Sequence, residues 1–279
     1  MDIVLIATKI ELRKIFWRPK YCIMLIIYAL IGLGAGLSGF SMGSTGSFSD
    51  IMFSIRGPDP LFSALTIYRS FLIPLAIFML SADAFTHELE SKSIKCALVR
   101  PVSRFDVYLA KCLAIFFYIA IALCAGYIVV ASRQIISAIL SPHIAGSAMP
   151  FDTVPQVGAG QGASALSIIT VLGEALVSYV LTLAPMAAFI AFAAFVAVLI
   201  RSPALVMFLC IVSYIALSFF STFNTAAGAA LFTTYSGWYR MWLGNRLPWR
   251  SLLTTAGVLL STCVAFFGFG YFLFDKKDI

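Results

Sequence analysis

The residues best suited to polar chemistry lie in one short stretch, from Thr86 to Arg104, which separates two long apolar runs. His87 and Glu88 begin like the zinc-binding His-Glu-x-x-His motif, but position 91 is Ser, so the second histidine ligand is missing. The whole chain contains only 2 histidines, which excludes a histidine-rich metal site. This stretch therefore does not predict metal-dependent catalysis.

Nucleotide-binding motifs are missing from the sequence as well. There is no Gly-x-x-x-x-Gly-Lys-Ser/Thr loop, which cradles ATP phosphates in many ATPases. Gly158, Gly160 and Gly162 lie close together, but they have no accompanying lysine and no preceding strand, so they indicate a loop. We predict no enzymatic activity for this chain by itself and no cofactor bound to it.

The polar stretch is predicted to form a short helix over about 86–99. Thr86 is a suitable N-cap, and Pro101 ends the helix because its ring cannot continue it. Acidic residues precede basic ones, an order that complements the helix dipole: Glu88 and Glu90, then Lys92 and Lys95. A modest apolar stripe accompanies them, formed by Leu89, Ile94, Ala97 and Leu98.

The elements around this helix are predicted to be membrane spans. Hydrophobic residues make up 61% of the chain, charged residues only 11%, and the mean hydropathy is +1.00. A soluble domain needs far more polar surface, and several runs reach the roughly 20 apolar residues that cross a bilayer. We therefore predict an all-α integral membrane protein, a single domain with six spans at about 21–40, 64–85, 107–131, 178–200, 204–221 and 251–274.

Residues 3–16 are predicted to form an elbow helix that lies on the membrane surface. Lys9, Glu11, Arg13 and Lys14 interrupt its apolar positions, and each charge would cost about 2.5–3.5 kcal/mol at the bilayer centre. A basic start followed by an apolar run also resembles a signal peptide. We favour a retained first helix, because the run is long and the cleavage site is weak.

The apolar run 164–200 is too long for one ordinary span. We expect it to begin with a short interfacial helix containing Glu174 and then to cross at about 178–200, where Pro185 could kink the helix. Glu174 would then stay hydrated at the outer interface. The alternative is a functional acid inside a span.

The distribution of basic residues predicts the orientation in the membrane. Of the 19 lysines and arginines, the smaller group falls on the side away from the N-terminus: Arg56, Arg69, Arg133, Arg240, Arg246 and Arg250. Cytoplasmic loops carry the excess of basic residues, so both termini are predicted to be cytoplasmic. The same bias accounts for the net charge of +7, and no nucleic-acid partner is expected.

Two further features each have two interpretations. Tyr235, Trp238, Arg240 and Trp242 could form an outer gate or substrate contact, or an aromatic belt on a short interfacial helix. The series Gly32, Gly34 and Gly36 could allow close helix packing, including packing across a dimer interface, or could form a flexible helix end.

The polar stretch resembles the first cytoplasmic loop of the ABC-2 permease family. Members carry an acidic cluster after the second span, a short helix, a Pro-Val-Ser-Arg-like turn and a lysine entering the third span. Here these elements are Glu88 and Glu90, residues 91–99, residues 101–104, and Lys111. The family often has Gly-Thr where this chain has Lys92-Ser93. The elbow helix, the six spans and the short basic tail are also similar in order.

This resemblance implies a type V exporter-like permease in the inner membrane, working with a separate ABC ATPase subunit that binds ATP and Mg²⁺. Residues 86–99 would be the coupling helix that docks onto the ATPase. The contact residues would be Glu88, Leu89, Glu90, Lys92, Lys95, Leu98, Arg100 and Arg104. A second permease copy, as in a homodimer, and ATP-driven export from the cytoplasm or inner leaflet are also implied.

Three alternatives stay open at this level. Residues 86–99 could be an ordinary solvated loop. The chain could be a mechanotransmitter or sensor that acts on a periplasmic or accessory protein without moving a substrate, although the predicted outer loops are short. A secondary transporter would need buried acids and an internal inverted repeat, and Glu174 is the single candidate acid.

Overall fold

A computed structural model of the chain describes residues 2–34, 60–90, 103–140, 165–200, 202–223, 228, 231–242 and 249–276. In these ranges the chain is helical and has no β-strand, which confirms the predicted all-α class. The helices are α1 (Asp2–Trp17), α2 (Pro19–Gly34), α3 (Pro60–Ile67), a π-helical turn (Tyr68–Leu72), α4 (Ile73–Glu90), α5 (Arg104–Leu140), α6 (Ala165–Leu199), α7 (Pro203–Phe223), a 3₁₀ helix (Phe232–Trp242) and α8 (Trp249–Lys276).

These helices match the predicted membrane-spanning character of the chain. Five segments are long and apolar enough to cross a bilayer: Ala64–Thr86, Arg104–Ile136, Ile169–Leu199, Pro203–Ser221 and Trp249–Lys276. A sixth candidate is the pair formed by α1 and α2. Residues 35–40 of the first predicted span lie outside the described residues. The protein is therefore a multi-pass helical membrane protein.

The chain bends by 77° between α1 and α2. Pro19 begins α2, where the missing N–H of a proline is tolerated in the first turn of a helix. In α1 the side chains of Thr8 and Ile15 are buried, whereas Ile6 and Trp17 are exposed. An elbow-shaped N-terminus is thus present, and its position relative to the bilayer stays a prediction.

Helix α6 differs from the sequence prediction for this region. A separate interfacial helix before a span at 178–200 was expected, but Ala165–Leu199 is one continuous α-helix with Pro185 inside it. No proline interrupts its N-terminal half, and Gly173 and Glu174 are accommodated within the helix, so the backbone hydrogen bonds continue. At 1.5 Å per residue its 35 residues span about 52 Å, more than the roughly 30 Å hydrocarbon layer.

Helix α5 is also longer than predicted, running from Arg104 to Leu140 instead of stopping near 131. The sequence has no breaker before Ser141-Pro142, and the residue preceding a proline is disfavoured in a helix. The hydroxyl of Tyr127 donates to the carbonyl oxygen of Leu172 at 2.9 Å, which joins α5 to α6. The two long helices therefore extend together.

Proline in the second span is accommodated by a neighbouring helix. Pro74 has no N–H, so it cannot donate to the carbonyl oxygen of Ser70 four residues earlier. The Tyr214 hydroxyl on α7 donates to that oxygen at 2.9 Å. A carbonyl freed inside the membrane is satisfied by a side chain from another helix, as membrane proteins require.

Gly32 has a definite packing role within the chain. A Cβ at this position would lie 2.5 Å from the Tyr68 hydroxyl oxygen, and a Cβ at Gly126 would lie 2.7 Å from the same ring. The Tyr68 ring is thus enclosed between α2 and α5. Gly34 has nothing within 4 Å, and Gly36 lies outside the described residues. The Gly32 position is explained by packing within one chain.

Candidate functional site

Four helix ends meet at one end of the bundle, which we call the charged end: the start of α2, the end of α4, the start of α5 and the end of α8. Arg18 on the bend contacts Asp83 near the end of α4 at 3.4 Å. Arg104 at the start of α5 donates to the carbonyl oxygen of Asp275 near the end of α8 at 2.6 Å. The predicted coupling segment leaves the bundle at this end.

The predicted start of the coupling helix needs correction. Thr86 was expected to be an N-cap, but α4 continues through it to Glu90. The Thr86 hydroxyl donates back to the carbonyl oxygen of Ala82 at 2.5 Å, as threonine does inside a helix, and its side chain is fully buried. Packing of the second span outweighs the capping preference of threonine.

The predicted coupling residues are only partly within the described chain. The backbone of Glu88, Leu89 and Glu90 forms the last turn of α4. Lys92, Lys95, Leu98 and Arg100 lie outside the described residues. The coupling helix over 86–99 therefore stays a prediction, although its first residues extend the second span without a break.

Asp83 is the centre of an ion-pair network at the charged end. It accepts a hydrogen bond from the Tyr21 hydroxyl and contacts Lys20 and Arg18. Its side chain is 17% exposed, so a carboxylate there needs such compensation. Its partners lie more than 60 residues earlier in the chain, so no local sequence pattern connects them with Asp83. The network attaches the α1–α2 bend to the end of the second span.

Lys111 fixes α5 against α4 close to this network. Its side chain is 1% exposed, and Nζ donates to the carbonyl oxygen of Ala84 at 2.8 Å. The ammonium lies 5.8 Å from the centroid of the Phe85 ring and 3.9 Å from a carboxylate oxygen of Glu11. These contacts join the two helices that border the predicted coupling segment.

The aromatic cluster at the opposite end of the bundle packs partly against other helices. It forms 3₁₀-helical structure over Phe232–Trp242 with a kink at Gly237, and Phe232 and Tyr239 are buried. The Phe232 ring centroid lies 4.9 Å from that of Phe189 on α6. Tyr235 and Trp238 are half-buried, and only the backbone of Arg240 and Trp242 is described. Part of the cluster is therefore inserted between helices, and the outer-gate and aromatic-belt interpretations both stay predictions.

Arg69 is a functional candidate that the sequence reasoning missed. It was counted among the outer loop charges, but it lies in the π-helical turn of the second span with only 3% of its surface exposed. Its guanidinium donates to the Ser236 hydroxyl oxygen on the 3₁₀ helix at 3.0 Å. An arginine inside an apolar run, and a π-helical turn, both occur frequently at functional sites.

Glu174 lies in the interior of α6 and is half-buried. It is 25 residues from Leu199, so about 38 Å of helix separates the two, more than the thickness of a hydrocarbon layer. The expected outer location of Glu174 is compatible with this length. Among the described residues, no group of three or more potential metal ligands occurs.

Comparison with known proteins adds one finding. A family model described as ABC-2 family transporter protein matches residues 5–279, which include both ends of the bundle and nearly the whole chain. A search of curated proteins finds no match to this sequence.

Proposed function

The chain belongs to the ABC-2 family of transporter proteins, and from this premise we propose that it is the permease subunit of an ATP-driven exporter. A separate ATPase subunit binds ATP and Mg²⁺, and its closure moves the permease helices. The substrate then leaves the cytoplasm or the inner leaflet. The sequence does not identify the substrate.

The observation that carries this proposal is the construction of the charged end. Helix α4 continues rigidly to Glu90, the chain returns at Arg104, and Lys111 connects the two helices beside that segment. The ring of Phe85 on α4 also lies 5.4 Å from that of Tyr108 on α5. A force applied to residues 91–102 by a docked ATPase would be transmitted directly to two spans.

A second permease copy is part of the proposal. Only 22% of the apolar membrane-spanning stretch of α7 and 17% of that of α8 are buried within the chain. Phe208 on α7 and Val264 on α8 are among the most exposed apolar side chains of these two helices. In a homodimer some of this surface would contact the other copy, and the rest would contact lipid.

One observation favours the mechanotransmitter alternative. Helices α5 and α6 are 37 and 35 residues long, more than a hydrocarbon layer requires, and the Tyr127 hydroxyl joins them through the carbonyl oxygen of Leu172. Such a projecting pair could contact a periplasmic partner. A mechanotransmitter would also need an ATPase, so the two functions differ in whether a substrate crosses the membrane.

Purification of the tagged chain in mild detergent tests the ATPase partnership. We expect a protein with a phosphate-binding Gly-Lys-Ser/Thr loop to co-purify in about equal amounts and to hydrolyse ATP. Recovery of the chain without any such ATPase would overturn the proposal. Reconstitution of the complex into vesicles then separates export from mechanotransmission, because only export moves a compound across the vesicle membrane during ATP hydrolysis.

A further inference from the structure

The corner between α1 and α2 combines a polar cavity with an exposed apolar helix face. We propose that this corner binds an anionic phospholipid, with the phosphate of the headgroup against the exposed cations at the opening of the cavity and the acyl chains along α2. The inference stands independently of export, because it needs only the geometry and charge of the corner.

The cavity lies where α1, α2, α4 and α5 approach one another. Its volume is about 30 Å³, and it is open on one side. Its polar lining consists of Lys14, Arg18, Lys111, Glu11 and Asp83, together with the Tyr21 hydroxyl group. Such a space has room for water but not for a lipid headgroup, so a phosphate group would lie at its open side, against the exposed cations.

The charges of this corner favour an anion. Lys20 contacts Asp83 at its edge, so four cations accompany two carboxylates and the formal net charge is +2. The side chains of Lys14, Arg18 and Lys20 are between 37% and 51% exposed, so their charged ends can reach a ligand from outside. Lys111 is fixed inside the protein and adds positive potential behind them.

An apolar surface continues directly from this cationic corner. Ile23, Ile26, Leu30 and Leu33 on α2 are each at least 40% exposed, and their spacing places them along one side of the helix. From Ile23 to Leu33 the helix rises about 15 Å, half the thickness of a hydrocarbon layer. This face matches the length of the acyl chains in one leaflet.

Trp17 indicates the depth of the corner. Its side chain is 76% exposed, and the Arg13 guanidinium lies 5.5 Å from the ring centroid. Exposed tryptophans of membrane proteins concentrate at the level of the lipid headgroups. A free phosphate ion would use only the cations at the opening of the cavity, whereas a phospholipid would use these cations, this level and the α2 face together.

Quenching of Trp17 fluorescence tests the proposal. In a Trp238→Phe, Trp242→Phe, Trp249→Phe background, the full chain is placed in phosphatidylcholine nanodiscs with increasing fractions of brominated phosphatidylglycerol or brominated phosphatidylcholine. We expect brominated phosphatidylglycerol to quench at an at least roughly fivefold lower fraction, the effect of one basic residue at an anionic surface. Equal quenching by the two lipids would refute the proposal.

Two variants with the same change of charge locate the effect. Arg18→Gln with Lys20→Gln should remove the preference for phosphatidylglycerol. Arg104→Gln with Lys276→Gln removes two cations from other helices at the same end and should retain it. If both pairs lose the preference equally, general surface charge and not the corner attracts the lipid, and the proposal fails.

A second measurement uses the chain with all its native tryptophans, because the variant with three Trp→Phe substitutions could fold poorly. Native mass spectrometry of the wild-type chain should show phosphatidylglycerol retained in preference to phosphatidylcholine, and the Arg18→Gln, Lys20→Gln variant should lose it. Inorganic phosphate added in excess should not displace the lipid. Displacement by inorganic phosphate would identify the corner as a free-anion site and overturn the lipid assignment.

Discussion

Four tyrosines buried in this bundle reach backbone partners on neighbouring segments. Hydroxyl groups of tyrosines donate to carbonyl oxygens of neighbouring segments: Tyr68 to Tyr28, Tyr118 to Tyr21, Tyr179 to Leu61 and Tyr214 to Ser70. A tyrosine suits this role because its ring buries apolar surface while its hydroxyl finds an acceptor. In a bilayer core without water, such pairs determine which helices can lie together.

The contact between Arg69 and Ser236 joins the π-helical turn to the 3₁₀ segment, at the end of the bundle opposite the charged end. We expect Ser236→Ala to destabilise the protein by about 1.5–3 kcal/mol, because it removes the acceptor of a charged, buried donor. Ser213→Ala is the matched control, since its exposed hydroxyl bonds only to Leu209 within its own helix. Thermal unfolding in detergent, followed by size-exclusion chromatography, measures both. Equal unfolding temperatures would show that Ser236 does not hold the 3₁₀ helix.

At the scale of the elements, α4 is one continuous helix that connects the π-helical turn with the predicted coupling segment. It begins at Ile73, passes the ion-pair network at Asp83 and ends at Glu90. The α1–α2 bend is attached to it by Arg18 and Lys20. Motion of the coupling segment would therefore reach the elbow as well as the second and third spans.

Charge reversal in the coupling segment should uncouple the complex. We expect Glu88→Lys with Glu90→Lys, and separately Leu98→Asp, to reduce ATPase co-purification and substrate-stimulated ATP hydrolysis together. Loss of a buried interface charge partner costs about 2–5 kcal/mol, which weakens docking well over tenfold. Membrane insertion should be unaffected, because these residues lie beyond the apolar part of α4.

A charge reversal of the same kind at the other end serves as the control for this experiment. Glu174→Lys lies on α6, away from the charged end, and should leave ATPase co-purification at the wild-type level. Wild-type co-purification and ATP hydrolysis in both coupling variants would show that residues 86–99 are not the coupling element.

At the scale of the whole molecule, the charged end collects helix ends from both halves of the chain. Arg18 and Asp83 lie at this end. Arg104, at the start of α5, and Asp275, near the end of α8, lie there as well. The α1–α2 bend and the C-terminal end of α8 are thus on one side of the bundle. This arrangement agrees with both termini lying on the same side of the membrane, and their cytoplasmic location stays a prediction from the basic residues.

Cysteine labelling tests that orientation. In a background without the 6 native cysteines, single cysteines at Ser47, Ser147 and Asn245 should react with an impermeant thiol reagent on intact cells. Cysteines at Ser91 and Lys277 should react only after the cells are opened, because we predict that both positions are cytoplasmic. Labelling of Ser91 together with protection of Ser147 would mean that the orientation is inverted.

The sequence by itself determined the class of the protein, its helical spans and its family resemblance. These depend on local properties: the length of each apolar run, and the need of a backbone in lipid to form its hydrogen bonds within one helix. For the same reason the segments at 204–221 and 251–274 differ little from α7 and α8. The Lys111 position was also identifiable from the sequence, as part of the family pattern.

Only the tertiary structure decided how the polar residues are paired and how far the two long helices α5 and α6 continue without interruption. Arg69 and Ser236 are 167 residues apart, and Arg18 and Asp83 are 65 apart, so no local pattern connects them. Thr86 has the residue type of a helix cap, yet packing of α4 against its neighbours keeps it inside a helix. Local preferences amount to about 1 kcal/mol or less per residue, and burial between helices outweighs them.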